Sequence, residues 1–149
     1  MNQIERGDDE TVMIIDQMVD FHGYPILHYP VSTKDGYILQ IHRIPGPEGE
    51  EPLEAVKKAD KRTPVLFLHG ILATDEMFVF VGKEGKHKSL PYQMADTGEY
   101  DVWFINFRGN TFSRDHMWLN PDFEEDFWNF SIEEFGDHDL PATIEHIRS

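Results

Sequence analysis

The chain has 149 residues, of which 40% are hydrophobic and 13% aromatic; its net charge is −15 and it contains no cysteine. That length and apolar content suit one folded domain with a core rather than a disordered chain. The charge opposes phosphate backbones and anionic membranes, so no nucleic-acid partner is expected, while the missing cysteines exclude disulfides, thiol nucleophiles and thiolate metal sites.

No apolar run reaches the ~18 to 20 residues of a membrane span, so no transmembrane segment is expected. The opening "MNQIERGDDETV" lacks the basic flank and apolar stretch of a signal peptide, so no export address is visible and the compartment stays open. Residues 12–19, "VMIIDQMV", put Val12, Ile15 and Val19 on one helical face with Ile14 and Met18 beside them. Asp8, Asp9 and Glu10 fall near that helix's positive end, and Gly23 and Pro25 stop it.

Two β-rich runs follow, at about 26–31 and 37–44, around an Asp35-Gly36 turn. Residues 45–63 are Pro/Gly-rich and then charged, which reads as a surface loop with a short helix near 52–59. "PVLFL" at 64–68 is a continuous apolar run, the pattern of a strand covered on both faces in a parallel sheet. "SLPYQMADTG" predicts a helix ending near Gly98, and "YDVWFINF" a second buried strand. Ser131 and Glu134 have capping-box spacing, and Leu140, Ile144 and Ile147 form a stripe in a helix restarted at Pro141.

The whole chain, 1–149, thus reads as one unit: an N-terminal helix (1–23), a β-hairpin (24–44), a loop (45–63) and a β-α-β-α segment (64–149). Antiparallel strands giving way to β-α-β predict a mixed, mostly parallel α/β sheet with helices on both faces.

The chemistry gathers at "TPVLFLHGILATDEMF", residues 63–78. Ligands meet open α/β sheets at the carboxyl ends of the strands, where His69-Gly70 would sit. Acyl transfer needs backbone N–H groups aimed at the oxygen that becomes negative, and glycine lets substrate approach while leaving the Ile71 N–H free. By itself His-Gly also reads as an ordinary strand-ending turn.

Other blocks decide between these readings. "GYPILHYPVSTKDGYILQIHRIP", "PVLFLHGIL", "YDVWFINFRGNTFSR" and "FWNFSIEEFGDHDLPATIEHI" occur in this order. From about residue 12 to the end, they resemble the N-terminal half of the acid lipase family: gastric and lysosomal acid lipases and related steryl-ester hydrolases. The resemblance implies an α/β-hydrolase fold and neutral lipid ester substrates, triacylglycerols or steryl esters. It further implies a secreted or lysosomal setting. It makes His69, Gly70, Ile71 and Leu72 the oxyanion segment, with Ile71 supplying the amide. "NFRGNTFSR", 106–114, matches a loop that shapes the site without a catalytic residue, and "VGKEGKHKS", 81–89, fits loosely.

No Gly-x-Ser-x-Gly pentapeptide occurs in the chain, and the family's acidic and histidine triad members lie later still. One amide cannot replace an activated hydroxyl and its base, so this chain alone is not expected to turn over esters. By the same resemblance, the strand that would carry the nucleophile is expected beyond Ser149. The outer edge of the third strand, around Val65–Leu68, is then expected to be bare, to be covered by a C-terminal half or another protein chain. Two readings follow. One is the N-terminal portion of a lipase or carboxylic ester hydrolase. The other is a catalytically dead, lipase-like subunit that docks through its open edge.

The remaining candidates read as structural. His22, His28 and His42 fall in the helix-hairpin region, His138 lies between two aspartates that diverge, and Asp115-His116 sits in a loop without a placeable serine. No His-x-x-x-His spacing points to a metal, and neither metal nor cofactor is expected. Arg108 and Arg114 are expected to pair with acids and hold the long loop down, and Trp103, Trp118 and Trp128 to anchor core and loops.

Overall fold

The computed structural model describes residues 14–82 and 88–149, so Val12, the acids at 8–10 and residues 83–87 lie outside the described residues. The chain begins with helix α1 (Ile15–Phe21), followed by strands β1 (Leu27–Ser32) and β2 (Tyr37–Ile44). Next come helix α2 (Pro52–Ala59), strand β3 (Thr63–Phe67), helix α3 (Leu90–Asp96) and strand β4 (Tyr100–Ile105). A two-residue strand β5 (Asp115–His116), a short helix α4 (Ile132–Glu134) and helix α5 (Leu140–Arg148) complete the order. Among the described residues the strands form one sheet in the order β1-β2-β4-β3, with β5 added to β2. The pairs β1–β2 and β2–β4 are antiparallel and β3–β4 is parallel, so the sheet is mixed as expected, but antiparallel pairing predominates among the described strands where mostly parallel pairing was expected.

The hairpin turn owes its shape to Gly36. Its N–H donates to Thr33 O at 3.1 Å and its φ is +99°, a conformation that side chains resist. The turn sets β1 opposite β2 so that His28 faces His42 and Val31 faces Leu39.

Alternation along the strands divides the apolar residues between two faces. On one face Ile44, Val102 and Phe104 meet Ile15 and Val19 of α1 and Tyr92 and Ala95 of α3. On the other, Leu39, Ile41, Trp103 and Ile105 meet Phe127, with Phe135, Ala142 and Ile147 packed against them. Pro52 at the first turn of α2 suits its missing N–H, and the helix is tied down by Arg62, whose guanidinium binds Glu50 at 2.9 Å.

Three expectations need correction. β3 is not covered on both faces: Thr63 and Pro64 are exposed and Val65 to Phe67 are half-buried, while its outer edge has no strand partner among the described residues. Asp115-His116 is not plain loop but pairs with Ile38 and Tyr37 of β2. The helix does not restart at Pro141, because a wide five-residue turn, Phe135–Asp139, runs from α4 directly into α5. Asp139 fixes the rotation of α5 by binding Arg108, so Asp139 and Thr143 take the inner positions and Ile144 is left exposed. The Ser131 cap forms as the spacing predicts: its Oγ accepts from Glu133 N–H, and Glu134 reaches back to its N–H at 2.7 Å.

Candidate active site

β3 delivers the chain to its carboxyl end, where Gly70–Ala73 forms a turn closed by Ala73 N–H donating to Gly70 O at 3.2 Å. Leu72 occupies the third position with φ +62°, the sole left-handed residue other than glycine among those described. That dihedral, with Ile71 outside the positive-φ region and the closing hydrogen bond, fits a type II turn. A left-handed leucine costs about 1–2 kcal/mol, and here it recovers nothing by burial, since Leu72 is 102% exposed. Ile71 is also exposed, and among the described residues no acceptor meets its N–H. A Cβ built on Gly70 would meet nothing within 4 Å, so the space above the turn is open.

His69 sits beneath the turn, buried. The Phe107 N–H donates to its Nε2 at 3.1 Å, so Nε2 must carry the lone pair and Nδ1 the proton. Nδ1 lies 2.7 Å from Gly70 O, which accepts that proton's hydrogen bond. Both ring nitrogens are therefore spent on backbone: His69 clips the end of β3 to the end of β4.

Residues in "NFRGNTFSR" extend the clip. The Asn110 amide donates to Asn106 Oδ1 at 2.8 Å and lies 3.3 Å from His69 Nε2, while its own oxygen accepts from the Phe112 and Ser113 N–H groups. Asn106 Oδ1 accepts the Asp75 N–H at 3.2 Å, and Ser113 Oγ donates to Asn106 O at 2.6 Å. The support from Asn106 and Asn110 was not read from the sequence, because nothing in their spacing distinguishes them from turn formers.

The turn borders a cleft of about 320 Å³ lined by His69 to Ala73, Phe107 to Asn110, Trp128, Phe130 and Phe135. Aromatic rings form its far wall, with Phe107 and Phe135 stacked at 4.6 Å. Gly109 has φ +81°, and a Cβ there would lie 2.6 Å from the Phe130 ring, so glycine is what lets the aromatic wall close.

Arg108 anchors the floor. Its buried guanidinium binds Asp35 at 2.6 Å and Asp139 at 2.7 Å and lies 3.9 Å from the Tyr37 ring centroid. Burial opposes ionisation of Asp35, but hydrogen bonds from Arg108 and Thr33 and the guanidinium charge outweigh it and hold its carboxyl at about 2. Asp139, on the same guanidinium, is pushed the other way: its side chain is wholly buried, and loss of water outweighs the Arg108 bonds. Arg114 pairs with Asp122 at 2.6 Å in the open. Both arginines thus hold loops to acids.

The other singled-out residues lie apart from the cleft. His116 accepts from the Trp118 and Leu119 N–H groups and reaches Asp35 O. His22 meets Tyr92 OH at 3.2 Å. His138 stands 4.0 Å from Asp35. Trp103 is buried, Trp128 lines the cleft and donates to Pro121 O, and Trp118 lies largely exposed against Gly36. The structure also gathers Asp16, His28 and His42, which linear spacing concealed; the signal was the hairpin register, which sets residue 28 opposite residue 42.

The model of the family "Partial alpha/beta-hydrolase lipase region" matches residues 15–82. Gastric triacylglycerol lipase of Rattus norvegicus is 42% identical over 142 residues, covering 95% of this chain and 33% of that protein. Gastric triacylglycerol lipase of Homo sapiens is 41% identical over 149 residues, covering 97% and 34%. Human lipase member K is 43% identical over 141 residues, covering 95% and 33%. The chain spans about a third of the length of these curated relatives. Residues 15–82 thus match a lipase-region model, and the chain is similar to these lipases along nearly its whole length. No helix among the described residues is long and apolar enough to cross a membrane.

Proposed function

We propose that this chain, an acid-lipase-like α/β-hydrolase region, supplies one wall of the active site of a serine hydrolase acting on neutral lipid esters, triacylglycerols or steryl esters. One observation carries the reading: the Ile71 N–H, without an acceptor among the described residues, stands on a turn at the rim of an apolar cleft. In the proposed reaction a serine hydroxyl attacks the ester carbonyl and its proton passes to a base. The carbonyl oxygen becomes an oxyanion, and the Ile71 amide donates to it as the charge develops. His69 is not that base, because both its nitrogens are occupied by backbone. It holds the turn so that the amide needs no reorganisation during the reaction. Gly70 leaves room for the substrate, and the aromatic wall suits an acyl chain. The attacking serine, its base and the base's acid belong to polypeptide outside these 149 residues, joined along the free edge of β3.

That edge also favours a second reading, a non-catalytic subunit that docks there. Active-site labelling separates the two. The protein is recovered from its native source with an antibody to α2 and treated with a fluorophosphonate probe. Covalent label is expected on a serine outside residues 1–149 in the recovered molecule or complex. Recovered material that takes no label overturns the catalytic reading in favour of docking.

A further inference from the structure

We propose that Asp16, His28 and His42 form a divalent-cation site, with zinc as the best-fitting ion. Asp16 comes from α1, His28 from β1 and His42 from β2, so the site would staple the first helix to the hairpin. One ligand atom from each residue lies within 4.8 Å of the other two. His28 Nε2 is already 3.1 Å from Asp16 Oδ2, and the two imidazoles, opposed across the strands, stand edge to face at 4.7 Å. Tetrahedral zinc with bonds of about 2.0–2.1 Å needs its ligands roughly 3.3 Å apart, a contraction that side-chain rotation supplies.

A second observation favours a cation over a chance cluster. Asp75 is wholly buried and its Oδ2 holds His42 at Nδ1, which fixes the proton there and leaves Nε2 as the ring's free donor atom. Carboxylate, imidazole and metal in line is how proteins orient a ligating histidine. The other oxygen of Asp75, Oδ1, has no hydrogen-bond partner in the described structure. A buried carboxylate left this short of donors is costly, and a cation drawing charge through the ring would compensate it. His28 and Asp16 are each more than a third open to water, so an ion has a way in. Two nitrogens and one carboxylate leave a fourth position for water, a donor set suited to zinc.

The test is a zinc titration of the tag-free full chain against a chromophoric chelator, with cobalt(II) absorption reporting the ligand set. One equivalent is expected, with tetrahedral cobalt bands. His28→Gln and Asp16→Asn should each weaken it about tenfold or more, while His138→Gln should leave it unchanged. Circular dichroism checks that the variants fold, and at equal zinc the melting temperature of the parent should rise more than that of H28Q. Failure to bind zinc overturns the proposal, as does binding that H28Q and D16N leave intact.

Discussion

Strands β3 and β4 are neighbours, run parallel and are built from similar residues, yet they live in different surroundings. Asp101 to Ile105 of β4 are all buried, with β2 on one edge, β3 on the other and a core on each face. β3 has β4 on one edge and, among the described residues, no strand on the other, and none of its residues is buried. An apolar run therefore records that a strand is suited to cover; it does not say that cover is present. The buried strand belongs to the scaffold, and the half-open one carries the turn with the unsatisfied amide.

The contrast breaks most visibly at Arg108, whose buried guanidinium pairs with Asp35 and Asp139. Arg108→Ala leaves Asp139 buried without its cation, and a loss of about 3–5 kcal/mol is expected from chemical denaturation. A loss below about 1 kcal/mol would place the scaffold's stability elsewhere. Next in size is a matched pair of truncations. Ile105→Ala on β4 should cost about 2–5 kcal/mol, because it hollows a closed core. Leu66→Ala on β3 should cost about 1 kcal/mol, because water already reaches that side chain. Equal losses in the two unfolding curves would mean that the strands are equivalently covered.

A smaller effect sharpens the picture of the Arg108 cluster. The Asp35 carboxyl is depressed from 3.8 to about 2, so its stabilisation is complete above about 3.8 and disappears as pH falls toward 2. Asp139 is raised, so its preference acts in the opposite sense: it favours the fold at low pH and fades as pH rises through its elevated value. Asp35→Asn should lower stability near neutral pH by at most about 2 kcal/mol, less after screening by water. That difference should shrink below about pH 3.8 and vanish near 2. Denaturation midpoints across that range check it, and a difference independent of pH would contradict it.

Much of the fold was legible because local chemistry and tertiary demand agree. Asp35-Gly36 sets the hairpin, Ser131 with Glu134 starts a helix, and the alternation in "YDVWFINF" fills two cores. In α5 the stripe departs at Ile144, which is exposed while Ile147 packs on the core, since Asp139 meets Arg108, 31 residues away in sequence. Motif and neighbouring blocks located the His69–Leu72 segment. They did not disclose that His69 spends both nitrogens on backbone, or that Leu72 is left-handed. Those facts depend on where β4 delivers Phe107 and Asn110, which no spacing along the chain encodes.

The turn itself offers the most direct measurement. Proline suits the second position of a type II turn and has no N–H, so Ile71→Pro deletes the donor while keeping the backbone path. In the catalytically complete protein, I71P should lower kcat on a short-chain ester about 10²–10³-fold with little change in KM or melting temperature, while Ile71→Val behaves as the parent. An I71P protein that folds and turns over at the parental rate would show that this amide does not stabilise the reacting oxygen.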